Sequence, residues 1–592
     1  MTTAKREWEV LIASTINEFA RSKGVEALEV SATDIVTERP PKPELGDLSF
    51  PMFQYAKAFR LSPPSIAQGI AQLLADSRLR GAAAPSGSAE AAGPYVNVRL
   101  DVARFSEETL SLVLGEGEGF GKSDFLHGQK TIIEFSSPNT NKPLHLGHLR
   151  NDSIGESVSR ILASAGAEVR KVNLINDRGI HICKSMLAYD RFGGGATPES
   201  VGKKSDHFVG DYYVRFAEWA KETPEAEEQA RELLRKWEAG DKDVIELWTK
   251  MNSWAIKGIE ATYRKTGISF DAIYFESRTY SAGKAEVLRG LEKGVFYREE
   301  DGSVWVDLTE AGLDKKVLLR GDGTSLYVTQ DIGTVLARRD DFPFERLIYV
   351  VASEQRHHFR VLFSVLGMLG YDWATNLHHL SYGMVNLPEG KMKSREGTVV
   401  DADDLIAELT EMAREEIREK GREEEVGDVD STAEAVALGA LNYYLLQVNP
   451  VKDMVFKSEE SIAFTGNTGP YLQYMGSRVS SVLRKFSERK GEFEDGRFDP
   501  SLIERGDEWE LVKLLAAFPE AVVRSAQELS PAVLTGYLYE LSQTFSRYYH
   551  DNPVLHNENH DLVVTRVTLL RGVLQVLENA FHLVVVPFLE KM

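Results

Sequence analysis

The sequence predicts a multidomain α/β protein: a small α/β unit, then a parallel-sheet domain split by a helical insertion, then an all-helical final third. Three observations carry this. From Lys130 onward short apolar runs alternate with helical periods, the βαβ rhythm of a parallel sheet. Between about 184 and 318 that rhythm lapses into long amphipathic helices. Beyond about Asp404 the pattern is almost wholly helical to Met592. A chain of 592 residues is also too long for a single core.

The elements follow in order. REWEVLIASTINEFARS places Trp8, Leu11, Ile12, Ile16 and Phe19 at helical spacing. SPPSIAQGIAQLLAD opens with Ser and Pro, as helix starts do, and repeats Ile66, Ile70 and Leu73. GAAAPSGSAEAAG (Gly81 to Gly93) reads as a flexible loop, and PYVNVRLD as a returning strand. GEGEGFGKS (Gly115–Ser123) approaches a phosphate-binding loop, but Glu116 stands where the first glycine belongs and a helical pattern precedes it, so a linker is expected. KTIIEFS and VRKVNLIND read as strands around a helix from about Leu146. EEQARELLRKWEAG and DVIELWTKMNSWAIKGIEATYRK read as insertion helices, and SLYVTQD and RLIYVVASE as resuming strands. GREEEVGD reads as a solvated turn, and no internal repeat is found.

Composition narrows the function classes. Hydrophobic residues make up 43% and charged residues 27%, enough for sizeable buried cores in a globular protein. No apolar run approaches the ~18 residues of a membrane span, and MTTAKREWEV carries charges where a signal peptide would be apolar, so the cytoplasm is the expected compartment. The single cysteine, Cys183, excludes an internal disulfide framework and a cysteine-based zinc site. A net charge of −21 counts against a nucleic-acid partner for the molecule as a whole, although binding needs only a local basic face.

Chemistry concentrates in EFSSPNTNKPLHLGHLRND, Glu134 to Asp152, between the apolar strand TIIEF and an amphipathic helix. Ligands of open parallel sheets bind beyond the carboxyl ends of strands, and helix N-termini favour anions. His145 and His148 therefore sit where a nucleotide phosphate would lie, with Gly147 leaving room for a purine. Both imidazoles and Lys142 can hydrogen-bond the charge that grows on an α-phosphate under attack by a carboxylate. Two histidines three apart also suit half a metal site or a surface pair. A basic loop, KMKSREGT (Lys391 to Thr398), has Gly390 before it and Gly397 near its end, which permit movement.

These stretches resemble a family. HLGH is similar to the HIGH motif of class I aminoacyl-tRNA synthetases, and EFSSPNxxKPxHxGHLR resembles the arginyl enzymes. VGDYYVRF (Val209–Phe216), YVTQD, VVASEQRHHF, TGPYLQY (Thr468–Tyr474) and the ending FLEKM resemble further parts of the same family, so the resemblance spans nearly the whole chain. KMKSREGT resembles the KMSKS loop. Ser394 replaces its second lysine, a lack shared by many arginyl enzymes in which the counterpart of Lys142 stands in. Glu396 replaces a basic residue, and nothing in the sequence explains it. VNLINDRGIHICKSM departs from the family's NYxGDWGxQ at Arg178 and His181, with Asn176, Asp177 and Gly179 kept. His181 and Cys183 there are expected to be structural rather than metal ligands.

The resemblance implies a Rossmann-like catalytic domain over 113–404, its insertion at about 184–318, an additional tRNA-binding domain over 1–112 and an anticodon-binding domain over 405–592. It implies two steps, with arginine and ATP giving arginyl-adenylate and pyrophosphate, then transfer to the terminal ribose of tRNA(Arg). His145, His148, Lys142 and Lys391 are the expected catalytic residues, and Gly147, Met392 and Ser394 join them around ATP. Planar guanidinium is best held by carboxylates; Glu134 and Asp331 are implied, with Tyr327, while Asn139 and Gln355 take the α-ammonium. Asp331 also suits a helix N-cap before DIGTVLARR. Tyr471, Tyr474 and Arg478 share a helical face for unpaired bases, with Met592 nearby. ATP is expected with Mg²⁺, without a dedicated protein metal site or membrane contact, and a monomer is expected. Pyrophosphate exchange without tRNA is expected to be negligible. The rival readings are a small-molecule nucleotidyltransferase, a synthetase for another amino acid, and a non-catalytic tRNA-binding paralogue.

Overall fold

A computed structural model describes residues 2–25, 28–79, 85–388 and 400–592. The N-terminal unit packs α1 (Thr2–Ser22) and α3 (Pro63–Leu79), with the short α2 (Ala56–Phe59), on an antiparallel sheet of β1 (Leu48–Pro51), β2 (Ser88–Ala92) and β3 (Tyr95–Arg99) in the order β1-β3-β2. Trp8, Ile12, Ile16 and Phe19 are buried on α1, as their spacing predicts. The expected loop over 81–93 is corrected from residue 88 onward. Its small residues lack strand propensity, but β2 pairs with β3 from Ser88↔Arg99 to Ala92↔Tyr95, and the ladder bonds decide.

α4 (Val102–Glu116) leads into Gly117–Gly119, a short 3₁₀ turn whose Gly117 carbonyl accepts from Asn579 Nδ2 (2.9 Å). The near-miss phosphate loop is thus spent on packing. Five parallel strands follow in the order β11-β10-β4-β5-β6: β4 (Lys130–Glu134), β5 (Glu168–Ile175), β6 (Ala272–Phe275), β10 (Arg346–Ala352) and β11 (Leu377–Tyr382). α5 (Leu146–Ser164) joins β4 to β5. The helices α6 (Ile180–Phe192), α7 (Ser205–Glu222), α8 (Glu225–Glu238) and α9 (Lys242–Thr266) form the insertion's own cores. The run of long helices ends sooner than expected: β6 returns to the sheet beside β5 (Val172↔Ala272). α10 (Glu276–Glu292) then precedes an antiparallel sheet of β7 (Tyr297–Arg298), β8 (Val304–Val306) and β9 (Lys316–Leu319). A four-residue strand within helix-rich sequence leaves little periodicity to read.

SLYVTQD is also corrected. Its β-branched and aromatic residues suggest a strand, yet α11 runs Tyr327–Asp341 with Leu326 as its extended N-cap. Ile332 and Val335 are fully buried in the core shared with β10, so tertiary packing overrides local propensity. Asp331 lies in the second turn and is not the N-cap. RLIYVVA does form a strand, β10, before α12 (Arg356–Met368).

The final third holds α13 (Ala402–Glu419), α14 (Glu423–Val426), α15 (Val429–Leu446), α16 (Ser458–Ser461), α17 (Gly469–Glu488), α18 (Asp507–Glu528), α19 (Ala532–Asp551) and α20 (His560–Leu583). A two-residue parallel pairing of β12 (Val385–Asn386) and β13 (Met454–Val455) ties it to the sheet domain. No helix of the described residues is long and apolar enough to cross a membrane.

Candidate active site

The strand order places the turn after β4 beside the end of β10, where the chain's crossovers diverge and open parallel sheets bind ligands. That turn is strained. Ser136 and Ser137 have φ of +72° and +50°, conformations costing about 1–3 kcal/mol each outside glycine. Buried amides over-determine it: the Ser136 N–H donates to Asn151 Oδ1 (2.6 Å), the Ser137 N–H to Asn173 Oδ1 (3.0 Å), and Asn176 Nδ2 to the Ser137 carbonyl (2.9 Å).

His145 caps α5. The Gly147 N–H donates to its Nδ1 (3.1 Å), and its own N–H donates to His148 Nδ1 (3.1 Å). The rings lie 3.9 Å apart. With both Nδ1 atoms accepting, the neutral tautomer of each ring carries its proton on Nε2 and offers that N–H to a ligand. Burial and then the nearby Lys142 ammonium push His145 down to about 4; burial, His145 and Lys142 hold His148 well below its ordinary value. Both rings are therefore neutral donors at pH 7. Lys142 is itself lowered by burial, and a phosphate bound beside it would favour its charged form. At Gly147 a Cβ would lie 2.9 Å from His145 Cε1, so the glycine makes room for that ring.

The segment leaving the basic loop docks here. Leu146 N–H donates to the Val400 carbonyl (3.1 Å), and Ala402 N–H to the Leu144 carbonyl (3.0 Å), around a bridge between His145 and Asp401. Lys391, Met392, Ser394 and Glu396 lie outside the described residues.

Next to this turn opens a cleft of about 560 Å³ whose lining includes Asn139, Arg178, Glu276, Tyr280, Tyr327 and Gln330. Asn139 is exposed, and Tyr327, at the first turn of α11, is 75% exposed. Asp331 holds His358 Nε2 at 2.6 Å, and Gln355 is exposed at the start of α12. Glu134 differs from expectation. It is buried, ion-paired to Arg338, which is 1% exposed, and accepts from Ser137 Oγ (3.1 Å). An internal guanidinium already occupies the carboxylate that was expected to take the ligand's.

Sequence reasoning missed Glu276, the first residue of α10. Burial, opposed by Arg178 and reinforced by Asp177 and Asp331, pushes its carboxyl up to about 7. Gln330 bridges it to Arg178, its amide nitrogen donating to Glu276 Oε1 (3.0 Å) and its oxygen accepting from Arg178 Nη1 (3.0 Å). Arg178 also pairs with Glu238 (2.9 Å) and stacks 4.2 Å from the Tyr280 ring centroid. A signal existed, an acidic residue just beyond an apolar run, but β6 is too short to announce a strand end. Cys183 is buried with its thiol pushed up to about 12, which makes it inert.

At the far end, Thr468 caps α17, and Tyr471, Tyr474 and Arg478 are half-buried along it. Arg478 Nη2 donates to Tyr474 Oη (2.9 Å) and its guanidinium lies 4.4 Å from that ring's centroid. Arg422 packs over the same ring at 5.2 Å and donates to the Met592 carbonyl (2.9 Å). Met592 is buried against Tyr474, so Tyr474, Arg478 and the last residue meet in one place.

A parallel sheet with a strained turn, paired neutral histidines at a helix start and a helical carboxyl-terminal third defines the class I aminoacyl-tRNA synthetase architecture. A family model described as the catalytic domain of class I (R) tRNA synthetases matches residues 110–458. The DALR anticodon-binding domain matches 472–592 and the arginyl-tRNA synthetase N-terminal domain 6–100. Arginine–tRNA ligases of Treponema denticola and Treponema pallidum are 56% and 53% identical, covering 100% and 99% of both chains. The solved Thermus thermophilus arginyl-tRNA synthetase superposes with a TM-score of 0.80 at 27% identity, covering 99% of this chain and 100% of that one. The chain belongs to the arginyl-tRNA synthetase family.

Proposed function

We infer that the protein charges tRNA(Arg) with L-arginine at the expense of ATP. The observation that carries this is the histidine pair, whose Nδ1 atoms are both engaged by backbone N–H groups so that two Nε2–H donors remain beside a helix N-terminus. In the first step an arginine carboxylate oxygen attacks the α-phosphorus of MgATP and pyrophosphate departs with the electron pair of the broken P–O bond. His145 and His148 stabilise the charge growing on the α-phosphate, and Lys142 and Lys391 the polyphosphate. In the second step the terminal ribose hydroxyl of the tRNA attacks the acyl carbon and AMP departs. Asp331 and Glu276 hold the guanidinium beside Tyr327, and Asn139 and Gln355 the α-ammonium. Glu134 instead supports the wall of the cleft through Arg338.

Tyr471, Tyr474, Arg478 and Met592 form the anticodon contact in this reading. Residues 1–112 supply an additional tRNA contact, 113–404 the chemistry and 405–592 the anticodon grip, in a cytoplasmic monomer. The test is aminoacylation of bulk tRNA with labelled arginine. The wild type is expected to charge arginine alone among the amino acids. His148→Ala is expected to lower kcat by about 10²–10³, while Asp331→Ala raises the KM for arginine. A wild type that charges another amino acid, or none, would sink the reading.

A further inference from the structure

The stretch containing VGDYYVRF plays no part in the mechanism above, yet the start of α7 touches both halves of the ATP-activating site. Lys204, just before α7, places its Nζ 2.9 Å from Asp206 Oδ2, 2.7 Å from Asp403 Oδ2 and 2.7 Å from Thr262 Oγ1. His207 Nε2 lies 2.9 Å from Asp403 Oδ2 and 3.5 Å from Asp401 Oδ1. Thr262, from α9, donates to Asp403 Oδ1 (3.1 Å). Asp401 is the N-cap of α13, accepting from the Asp403 and Asp404 N–H groups, and it bridges to His145. One helical turn further along α7, Gly210 rests on the other segment: a Cβ there would lie 2.9 Å from Pro143 Cδ and 3.7 Å from Lys142 Cα.

Asp206, His207 and Asp403 bring their ligand atoms close enough to hold a metal ion. Lys204 makes that unnecessary, because its ammonium already touches two of the carboxylates and supplies the balancing charge. Asp206 is wholly buried, and its Oδ1 is wedged against Gly258, where a Cβ would lie 2.2 Å away. The cluster is therefore an anchor built around a partly buried cation. Hydrogen bonding to Asp403 raises the His207 pKa, and although burial opposes it, His207 and Lys204 draw Asp403 down to about 2.

We propose that Lys204, His207 and Gly210 are positioning residues of the activation step: they lock the Asp401–Asp403 cap and the Lys142–Pro143 segment to one helix, fixing the exit of the basic loop against His145. The insertion thereby sets the geometry of ATP binding without touching ATP. This rests on the reading of His145 and His148 as the ATP site.

The test measures pyrophosphate exchange with tRNA present, using full-length Lys204→Met, Lys204→Arg, His207→Gln and Gly210→Ala, with KM for ATP and for arginine determined separately beside thermal unfolding. Lys204→Met and Gly210→Ala are expected to reduce kcat/KM for ATP by about 10- to 100-fold, the scale of an ångström-sized misplacement. The KM for arginine should stay within about twofold, the resolution of such a comparison. Lys204→Arg is expected to recover most of the loss. If Lys204→Met does not fold, His207→Gln and Gly210→Ala carry the test. Folded variants with unchanged ATP parameters, or ATP and arginine parameters that worsen together, would overturn the proposal. A wild type without exchange would instead remove the underlying ATP-site reading.

Discussion

At the scale of single residues, charge states in this site are set by burial more than by partners. His145 and His148 are neutral because both rings sit in a partly closed turn beside Lys142. Asp152, two turns into the same helix, is buried, and burial, opposed by Ser136 and aided by Glu156, pushes its carboxyl up to about 8. Its folded pKa thus exceeds the unfolded value of 3.8, so the protonated form is favoured on folding and stability is lost as pH rises from about 4 to 8. Asp152→Asn is expected to stabilise the protein more at pH 8 than at pH 5 in denaturant melts; an equal effect at both would contradict the raised pKa. Glu276 sits near 7, so arginine affinity in the wild type should improve between pH 6 and 8 as the carboxylate forms. Glu276→Gln is expected to raise the KM for arginine by about 10- to 100-fold, as loss of a charged hydrogen bond does, and to flatten that pH dependence. His148 was legible in the sequence because HLGH follows a strand. Glu276 was not, since only folding brings the start of α10 beside Gln330.

At the scale of elements, the cleft proposed to take arginine depends on how closely α10 and α11 approach. A Cβ at Gly283 would lie 1.6 Å from the Thr329 carbonyl oxygen, and one at Gly333 2.3 Å from that of Thr279. The two helices meet almost backbone to backbone, and they carry Glu276, Tyr327, Gln330 and Asp331 between them. Gly283→Ala forces them apart at a cost of about 1–3 kcal/mol. It is expected to raise the KM for arginine more than that for ATP, measured alongside the melting temperature. A lower melting temperature with an unchanged arginine KM would show that the cleft does not follow the helix spacing. This contact also explains why SLYVTQD misleads: Tyr327, Val328 and Thr329 have strand propensity, but glycines on both helices let α11 begin there. β2 misleads in the opposite direction, since small residues suggest a linker until β3 supplies the ladder.

At the scale of the whole molecule, the N-terminal unit is latched to the helical third by one buried carboxylate. Asp47 accepts from Trp509 Nε1 (2.8 Å) and the Leu100 N–H (2.9 Å), and lies 3.4 Å from Arg505 Nη1 and 3.6 Å from Lys513 Nζ. Arg39 adds a pair with Glu510 at 2.6 Å on the rim. Asp47→Ala removes the acceptor of the Trp509 and Leu100 N–H groups, while Lys513 keeps Glu510 (2.6 Å) and Arg505 keeps the Leu100 carbonyl (2.7 Å), and is expected to cost about 1–3 kcal/mol of that interface. Limited proteolysis should then release the N-terminal unit sooner than from the wild type; unchanged cleavage would place the latch elsewhere. A latched N-terminal unit and a carboxyl terminus buried beside Tyr474 make distant parts of the chain one body, despite its net charge of −21.

The sequence by itself determined the family and the reaction, because those depend on motifs whose members lie close together along one strand, turn and helix. His145, Gly147 and His148 are local features of one segment, and the periodicity around them reports the parallel sheet, whereas the strain at Ser136 and Ser137 is held by Asn151, Asn173 and Asn176. What only the tertiary structure decided are the partners drawn from far apart. Arg338 claims Glu134 from 204 residues away, Gln330 joins Glu276 to Arg178, and Lys204 anchors Asp403 to the start of α7. Such pairings follow from how helices cross and strands order themselves, and a charge's sequence position does not say which other charge will be buried against it.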